Sequence, residues 1–169
     1  LAAGGKRIAG IENADFSLRF TEAGLVGTVR GGNLLGPDFN NNILLSGTAN
    51  LNLNTTIASA SLQVGGQTVL VQAATLGGFY VDLEILGGSL AVFGSTLTAD
   101  QFLFRKSGDE VSLSGANLNF TLKAGTEQIV AINNADFSML FSQAGLAGAV
   151  RGGEFTGPSL DGITLQGVV

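Results

Sequence analysis

Apolar and polar residues alternate along most of the chain, in short runs that Gly, Asn and Ser interrupt. The pattern is regular in residues 14–21, 45–54, 81–85 and 116–123. Because successive side chains of a strand point to opposite faces, it predicts β-strands with one buried apolar face. In residues 14–21 that face would carry Ala14, Phe16, Leu18 and Phe20. No segment has the apolar spacing of a helix over a helical length.

The predicted fold class is therefore all-β, with antiparallel hairpin or meander strands and no significant helix. Antiparallel pairing is favoured because no helices are available to cover a parallel sheet. We expect an elongated tandem-repeat β architecture, either sandwich-like or solenoid-like.

An internal repeat is the most specific signal in the sequence. Residues 11–37 and 132–158 are identical at 17 of 27 positions, at a constant offset of 121. Self-similarity at a fixed period is typical of repeat architectures. We interpret residues 1–121 as one full β-repeat unit and residues 122–169 as a partial second copy. A single domain with two duplicated lobes is the alternative.

The first copy contains a hairpin whose register can be predicted. With a loop at residues 21–24, Phe20 faces Leu25 and every apolar residue keeps to one face. A slip of one residue would turn each side chain to the other face. On the polar face this register predicts structural ion pairs between Asp15 and Arg30 and, in the second copy, between Asp136 and Arg151.

A second hairpin is predicted with its turn at Ser107-Gly108. This turn would place Arg105 opposite Glu110, and we expect a third structural ion pair there. Glycines within strands, such as Gly27 opposite Leu18, would let the larger side chain lie over bare backbone.

Composition excludes several classes of chemistry. The chain has no His, Cys or Trp, 26 Gly, and only 12% charged residues. Without Cys or His it has no thiolate or imidazole metal site and no Ser-His-Asp or Cys-His catalysis. A net charge of -5 argues against a nucleic-acid partner, whose readers usually carry a basic patch. No apolar run is long enough for a transmembrane helix.

Two groups of polar residues could carry chemistry. Asp38, Asn40 and Asn42 offer oxygen ligands for Ca²⁺, although the second copy lacks the cluster and a polar loop is the better interpretation. Asp82 and Glu84 share one face of a strand and could act as an acid–base pair on a polysaccharide, but a solvated surface is favoured. We predict no catalytic residues and no cofactor beyond this weak calcium candidate.

A family resemblance at the level of sequence pattern spans most of the chain, and three segments illustrate it. TADQFLFR at 98–105, NADFSMLF at 134–141 and GLAGAVRGG at 145–153 resemble repeat units of very large bacterial secreted or cell-surface, adhesin-like proteins. In those proteins such strands recur in tandem. The resemblance implies an extracellular or cell-surface location and a non-catalytic, array-forming role, and it transfers no site residues.

The favoured function is a structural repeat module of an extracellular bacterial fibre, filament or adhesin stalk that assembles by end-to-end stacking of β-sheets. Its partners would be copies of itself or adjacent repeats. The alternative is a binding module for a surface glycan or ice. A polysaccharide-acting enzyme and an outer-membrane barrel are less favoured, the latter because one Tyr and no Trp cannot supply aromatic girdles.

Overall fold

The computed structural model describes residues 2–3, 6–7, 10–36, 43–92, 94–157 and 166–168. In this part of the chain the regular structure is β-strand, and the strands pair antiparallel. The all-β, antiparallel prediction is therefore confirmed. No helix in the described residues is long and apolar enough to cross a membrane.

In chain order the strands of the described residues are β1 (Ala2–Ala3), β2 (Lys6–Arg7), β3 (Gly10–Glu12), β4 (Asp15–Thr21), β5 (Gly24–Leu35), β6 (Ile43–Asn54), β7 (Ala60–Val64), β8 (Gln67–Val71), β9 (Tyr80–Val92), β10 (Ser95–Ser107), β11 (Glu110–Ala124), β12 (Glu127–Ser142), β13 (Gly145–Arg151), β14 (Glu154–Thr156) and β15 (Gln166–Val168).

Within the described residues, eleven strands form one sheet whose order follows the chain. It runs from β3 and β4 through β5, β6, β9, β10, β11 and β12 to β13, β14 and β15. Strands β3 and β4 pair with successive parts of β5, and β14 and β13 pair with successive parts of β12. The result is a meander with an edge at each end. The pairs β1–β2 and β7–β8 form two small separate sheets.

The predicted register of the first hairpin is confirmed. Phe20 lies opposite Leu25, and Leu18 lies opposite Gly27. A Cβ atom at Gly27 would lie 2.6 Å from Cδ2 of Leu18, so this leucine does lie over bare backbone as predicted.

Apolar residues line one face of the main sheet in transverse rows. One row crosses eight strands through Phe16, Val29, Leu51, Leu83, Phe104, Leu113, Met139 and Gly148. The expectation that this face is buried is wrong at the β4 edge, where Phe16 is 69% exposed, Leu18 51% and Phe20 74%. The reason is that the second layer in the described part of the chain, the β7–β8 hairpin, packs on the opposite face.

The hydrophobic core lies beneath that hairpin. It consists of Val26, Ala60, Leu62, Val71, Ala74 and Tyr80. Val26 and Tyr80 lie in a transverse row with Arg19 and Asn54, on the face that carries the polar side chains. Because a two-stranded hairpin is marginally stable alone, these contacts with the sheet hold it in place.

Asn54 ties the hairpin to the sheet by hydrogen bonds. Its side chain is fully buried. The side-chain amide donates to the carbonyl oxygens of Ala58 (2.9 Å) and Gln72 (2.7 Å). The side-chain oxygen accepts from the backbone N–H (2.7 Å) and the hydroxyl (2.8 Å) of Thr56. One side chain thus satisfies polar groups on both segments that lead into and out of the hairpin.

Left-handed residues recur in or beside the strands of the main sheet, among them Asn13, Gly31, Gly87, Asn117, Asn134 and Gly152, with φ between 51° and 73°. Such bulge positions take an N–H out of the ladder. Asx side chains on neighbouring strands accept three of these protons: Asn50 from Gly31 (2.9 Å), Asp136 from Asn117 (3.0 Å) and Asn119 from Asn134 (3.1 Å). Each bulge bends its own strand and increases the local twist.

Candidate functional site

Asp15 and Arg30 lie opposite each other, as the register predicted. They do not form the predicted ion pair in the part of the chain that the structure describes. The Arg30 guanidinium reaches instead toward β6 and donates to the side-chain oxygen of Asn52 at 2.8 Å. The Asp15 carboxylate lies against the turn of the β7–β8 hairpin at Gly65. The two charged groups thus have different neighbours. The Asp15 carboxylate lies at the hairpin layer, which the sequence pattern did not reveal, and the Arg30 guanidinium lies at β6.

The second copy shows the same correction. Asp136 lies opposite Arg151 as predicted. Its carboxylate accepts the backbone N–H of Asn117 at 3.0 Å, and among the described residues no ion pair joins it to Arg151. The carboxylate of Asp136, which the sequence predicted to pair with Arg151, therefore accepts a hydrogen bond from the bulged residue of β11.

The predicted ion pair between Arg105 and Glu110 is wrong because the turn lies one residue later than expected. The loop is Gly108-Asp109, so Ser107 lies opposite Glu110 and Arg105 lies opposite Ser112. Gly108 has φ 59°, a conformation that a two-residue hairpin loop needs and glycine adopts without strain. The shift of two residues keeps every side chain on its predicted face.

Arg105 finds its ionic partner on the other neighbouring strand. Its Nε lies 3.4 Å from Oδ1 of Asp82, which β9 places directly opposite. Burial lowers the pKa of the guanidinium, but the charge and hydrogen bond of Asp82 together with those of Tyr80 outweigh that effect, and the pKa is raised. Burial and then the same carboxylate raise the pKa of the Tyr80 hydroxyl. Arg105 is thus held charged and Tyr80 neutral.

These residues belong to a cleft of about 390 Å³ on the polar face of the sheet, which we call the polar cleft. It is lined by Arg30, Asn50, Asn52, Asp82, Glu84, Gln101, Leu103 and Arg105. The Glu84 carboxylate accepts from the amide of Asn50 at 2.9 Å and from that of Gln101. The side chains that line the cleft form a hydrogen-bonded network that joins β5, β6, β9 and β10.

The candidate calcium ligands Asp38, Asn40 and Asn42 lie outside the described residues. Among the residues that the structure does describe, no three His, Cys, Asp or Glu side chains come together as a metal-binding group.

The repeated segments form matching ladders at two places in the one sheet. The seven pairs of β4–β5, from Asp15–Arg30 to Thr21–Gly24, recur 121 residues later as the seven pairs from Asp136–Arg151 to Ser142–Gly145. The three pairs of β3–β5 recur likewise between β12 and β14. Strand β12 is therefore the equivalent of β3 and β4, six strand positions further along the sheet.

In comparisons with known proteins, no family model, no curated protein sequence and no solved structure matches this chain. The arguments for function below therefore rest on the geometry of the sheet and on the sequence.

Proposed function

We propose that this chain is a non-catalytic structural repeat module of an extracellular bacterial fibre, filament or adhesin stalk. Its repeats would join edge to edge, so that each unit extends one antiparallel sheet. The observation that carries this proposal is that the second copy of the repeated segment continues the sheet of the first in the same register. In the part of the chain that the structure describes, the strands of the two copies follow one another in a single sheet.

The geometry of a repeat follows from this arrangement. One unit supplies six strand positions: β3 with β4, β5, β6, β9, β10 and β11. Because neighbouring strands lie about 4.8 Å apart, each 121-residue unit would lengthen the sheet by about 29 Å. A module that adds a fixed increment in one direction is suited to building an extended stalk or filament.

The chemistry of the polar cleft supports a non-catalytic role. Glu84 accepts hydrogen bonds from Asn50 and Gln101, and Asp82 faces Arg105. A carboxylate that serves as an acid or base must reach a substrate proton. Here hydrogen bonds from two adjacent strands engage Glu84, and the Asp82 carboxylate lies in an ion pair with Arg105, although its buried Oδ1 accepts no hydrogen bond within the described residues. These contacts favour cross-linking of the sheet. The extracellular location rests on the resemblance noted above.

Tandem chains test the proposed function. We expect that duplicating residues 11–131 in phase, once and then twice, lengthens the particle by about 29 Å per added unit in small-angle scattering and negative-stain electron microscopy. The width of the particle should stay constant. Compact clusters whose dimensions all grow together would contradict the proposal.

A matched control interrupts the sheet at one point. Ser114 lies in β11 between Leu103 on β10 and Ser138 on β12. Proline cannot donate to a ladder and is excluded from central strands. A duplicated chain with Ser114→Pro in the added unit should therefore lose the regular increment while keeping its mass.

A further inference from the structure

The edge formed by β3 and β4 exposes apolar side chains that its repeat equivalent covers. Among the described residues, both strands pair with β5 on one side and with no strand on the other. Phe16 is 69% exposed there and Leu18 51%. Their equivalents in the second copy, Phe137 and Met139, are only partly exposed.

The covering strand in the second copy is β11. Phe137 lies opposite Gly115 of that strand, and its ring occupies the space that a Cβ atom at Gly115 would take. The ring also packs at a tilt against Phe102, with 6.4 Å between centroids and 55° between planes. The equivalent phenylalanines thus differ in their surroundings: β11 covers Phe137 in the second copy, and no strand covers Phe16 in the first.

A second observation points to the same strand at the open edge. Strand β1 pairs with β2 through Ala3–Lys6 and Ala2–Arg7. Adding 121 to each number gives Ala124–Glu127 and Lys123–Gln128, the pairs with which the end of β11 meets the start of β12. The two residues of β1 therefore occupy the place of the last residues of a β11 strand.

We propose that the open edge of β3 and β4 is a docking site for strand β11 of another copy of this repeat unit. The proposal rests on the proposed function and adds the partner and its register. In that register Gly115 of the incoming strand lies opposite Phe16, Leu113 lies opposite Leu18 and Val111 lies opposite Phe20.

Two features make this edge selective for that strand. A Cβ atom at Gly115 would overlap the Phe137 ring, and the same glycine in the docked strand would leave room for the ring of Phe16. Asp136 accepts the N–H of the bulged Asn117 at 3.0 Å in the second copy. Asp15 is its equivalent at the open edge, and it would turn from Gly65 of the hairpin to accept the same N–H of the incoming strand. An unrelated strand would supply backbone hydrogen bonds but neither of these matches.

Disulfide trapping tests the register, because the natural chain contains no cysteine. The probe is a synthetic peptide of residues 110–121 with Leu113→Cys, added to the full chain with Leu18→Cys. Opposed residues of an antiparallel pair lie about 4.5–5.5 Å apart, within reach of a disulfide. The control chain carries Arg19→Cys, which presents the thiol on the other face. We expect cross-linking at least about tenfold faster with the Leu18→Cys chain.

A binding measurement makes the same distinction without a cysteine. In fluorescence anisotropy, the labelled natural-sequence peptide should bind the full chain saturably, and Phe16→Ser should weaken binding about tenfold. Leu146→Ser, on the opposite edge and 65% exposed, should leave binding unchanged. Equal cross-linking to both cysteine variants, or no binding, would overturn the docking proposal. Regular lengthening of tandem chains would then still support the proposed function.

Discussion

Replacing Asn54 with Ala should lower the free energy of unfolding by about 2–3 kcal/mol, because the carbonyl oxygen of Gln72 and the backbone N–H of Thr56 lose their hydrogen-bond partner. The Thr56 hydroxyl keeps the carbonyl oxygen of Ala58 as a partner at 3.0 Å. Since these groups anchor both ends of the β7–β8 hairpin, loss of the hairpin layer should accompany the destabilisation. Urea unfolding followed by circular dichroism measures the change.

Asn33→Ala is the matched control for this substitution. Asn33 is exposed on β5, so its replacement should change stability by less than about 0.5 kcal/mol. Asn54→Asp should be at least as damaging as Asn54→Ala, because a carboxylate would face two carbonyl oxygens. Equal stability of the Asn33→Ala and Asn54→Ala chains would contradict the assigned role of Asn54.

Gly115→Val should destabilise the chain by about 2–3 kcal/mol, because overpacking a filled site forces side chains from their rotamers or the backbone from its place. A Cβ atom at Gly115 would overlap the Phe137 ring, which packs at a tilt against Phe102 with 6.4 Å between centroids. The ring would have to leave this position, and its contact with Phe102 would change. Thermal and urea unfolding of the purified variant give the difference.

The control is Gly167→Val, which adds the same side chain to a strand glycine with no atom within 4 Å of the position of its Cβ. Its stability should lie within about 0.5 kcal/mol of the natural chain. If both variants were equally destabilised, the cause would be the general effect of valine at a strand glycine. That result would contradict the claim that the Phe137 ring requires a glycine at position 115.

Sequence pattern alone predicted the strands and the first register because alternation leaves little freedom. Shifting β4 by one residue would move Phe16, Leu18 and Phe20 to the polar face. The repeated segment then fixed the equivalent register of β12 and β13, and both hairpins form as predicted.

The turn between β10 and β11 was predicted incorrectly because parity cannot distinguish registers that differ by two residues. Placing Arg105 opposite Glu110 or opposite Ser112 keeps all apolar side chains on one face. The left-handed conformation of Gly108 decides between them, and the consequence is the contact of Arg105 with Asp82.

The sequence pattern also could not predict which face of the main sheet the β7–β8 hairpin covers. Asn50, Asn52 and Asn54 alternate with leucines and suggest one solvated row, yet Asn54 is fully buried. Its burial depends on the β7–β8 hairpin, which packs from elsewhere in the chain. Likewise the alternation of apolar and polar residues does not show that the side chains of Asp136 and Asn50 accept hydrogen bonds from bulged N–H groups, which the structure shows.

The most direct test of the central claim is the distance between equivalent residues of the two copies in one chain. Ser17 and Ser138 are 121 residues apart in sequence and six strands apart in the sheet. With both changed to spin-labelled cysteine, double electron–electron resonance should give a narrow distribution near 29 Å, six spacings of about 4.8 Å. A distance below about 15 Å, as expected for two lobes packed face to face, would contradict the account of repeats that extend one sheet.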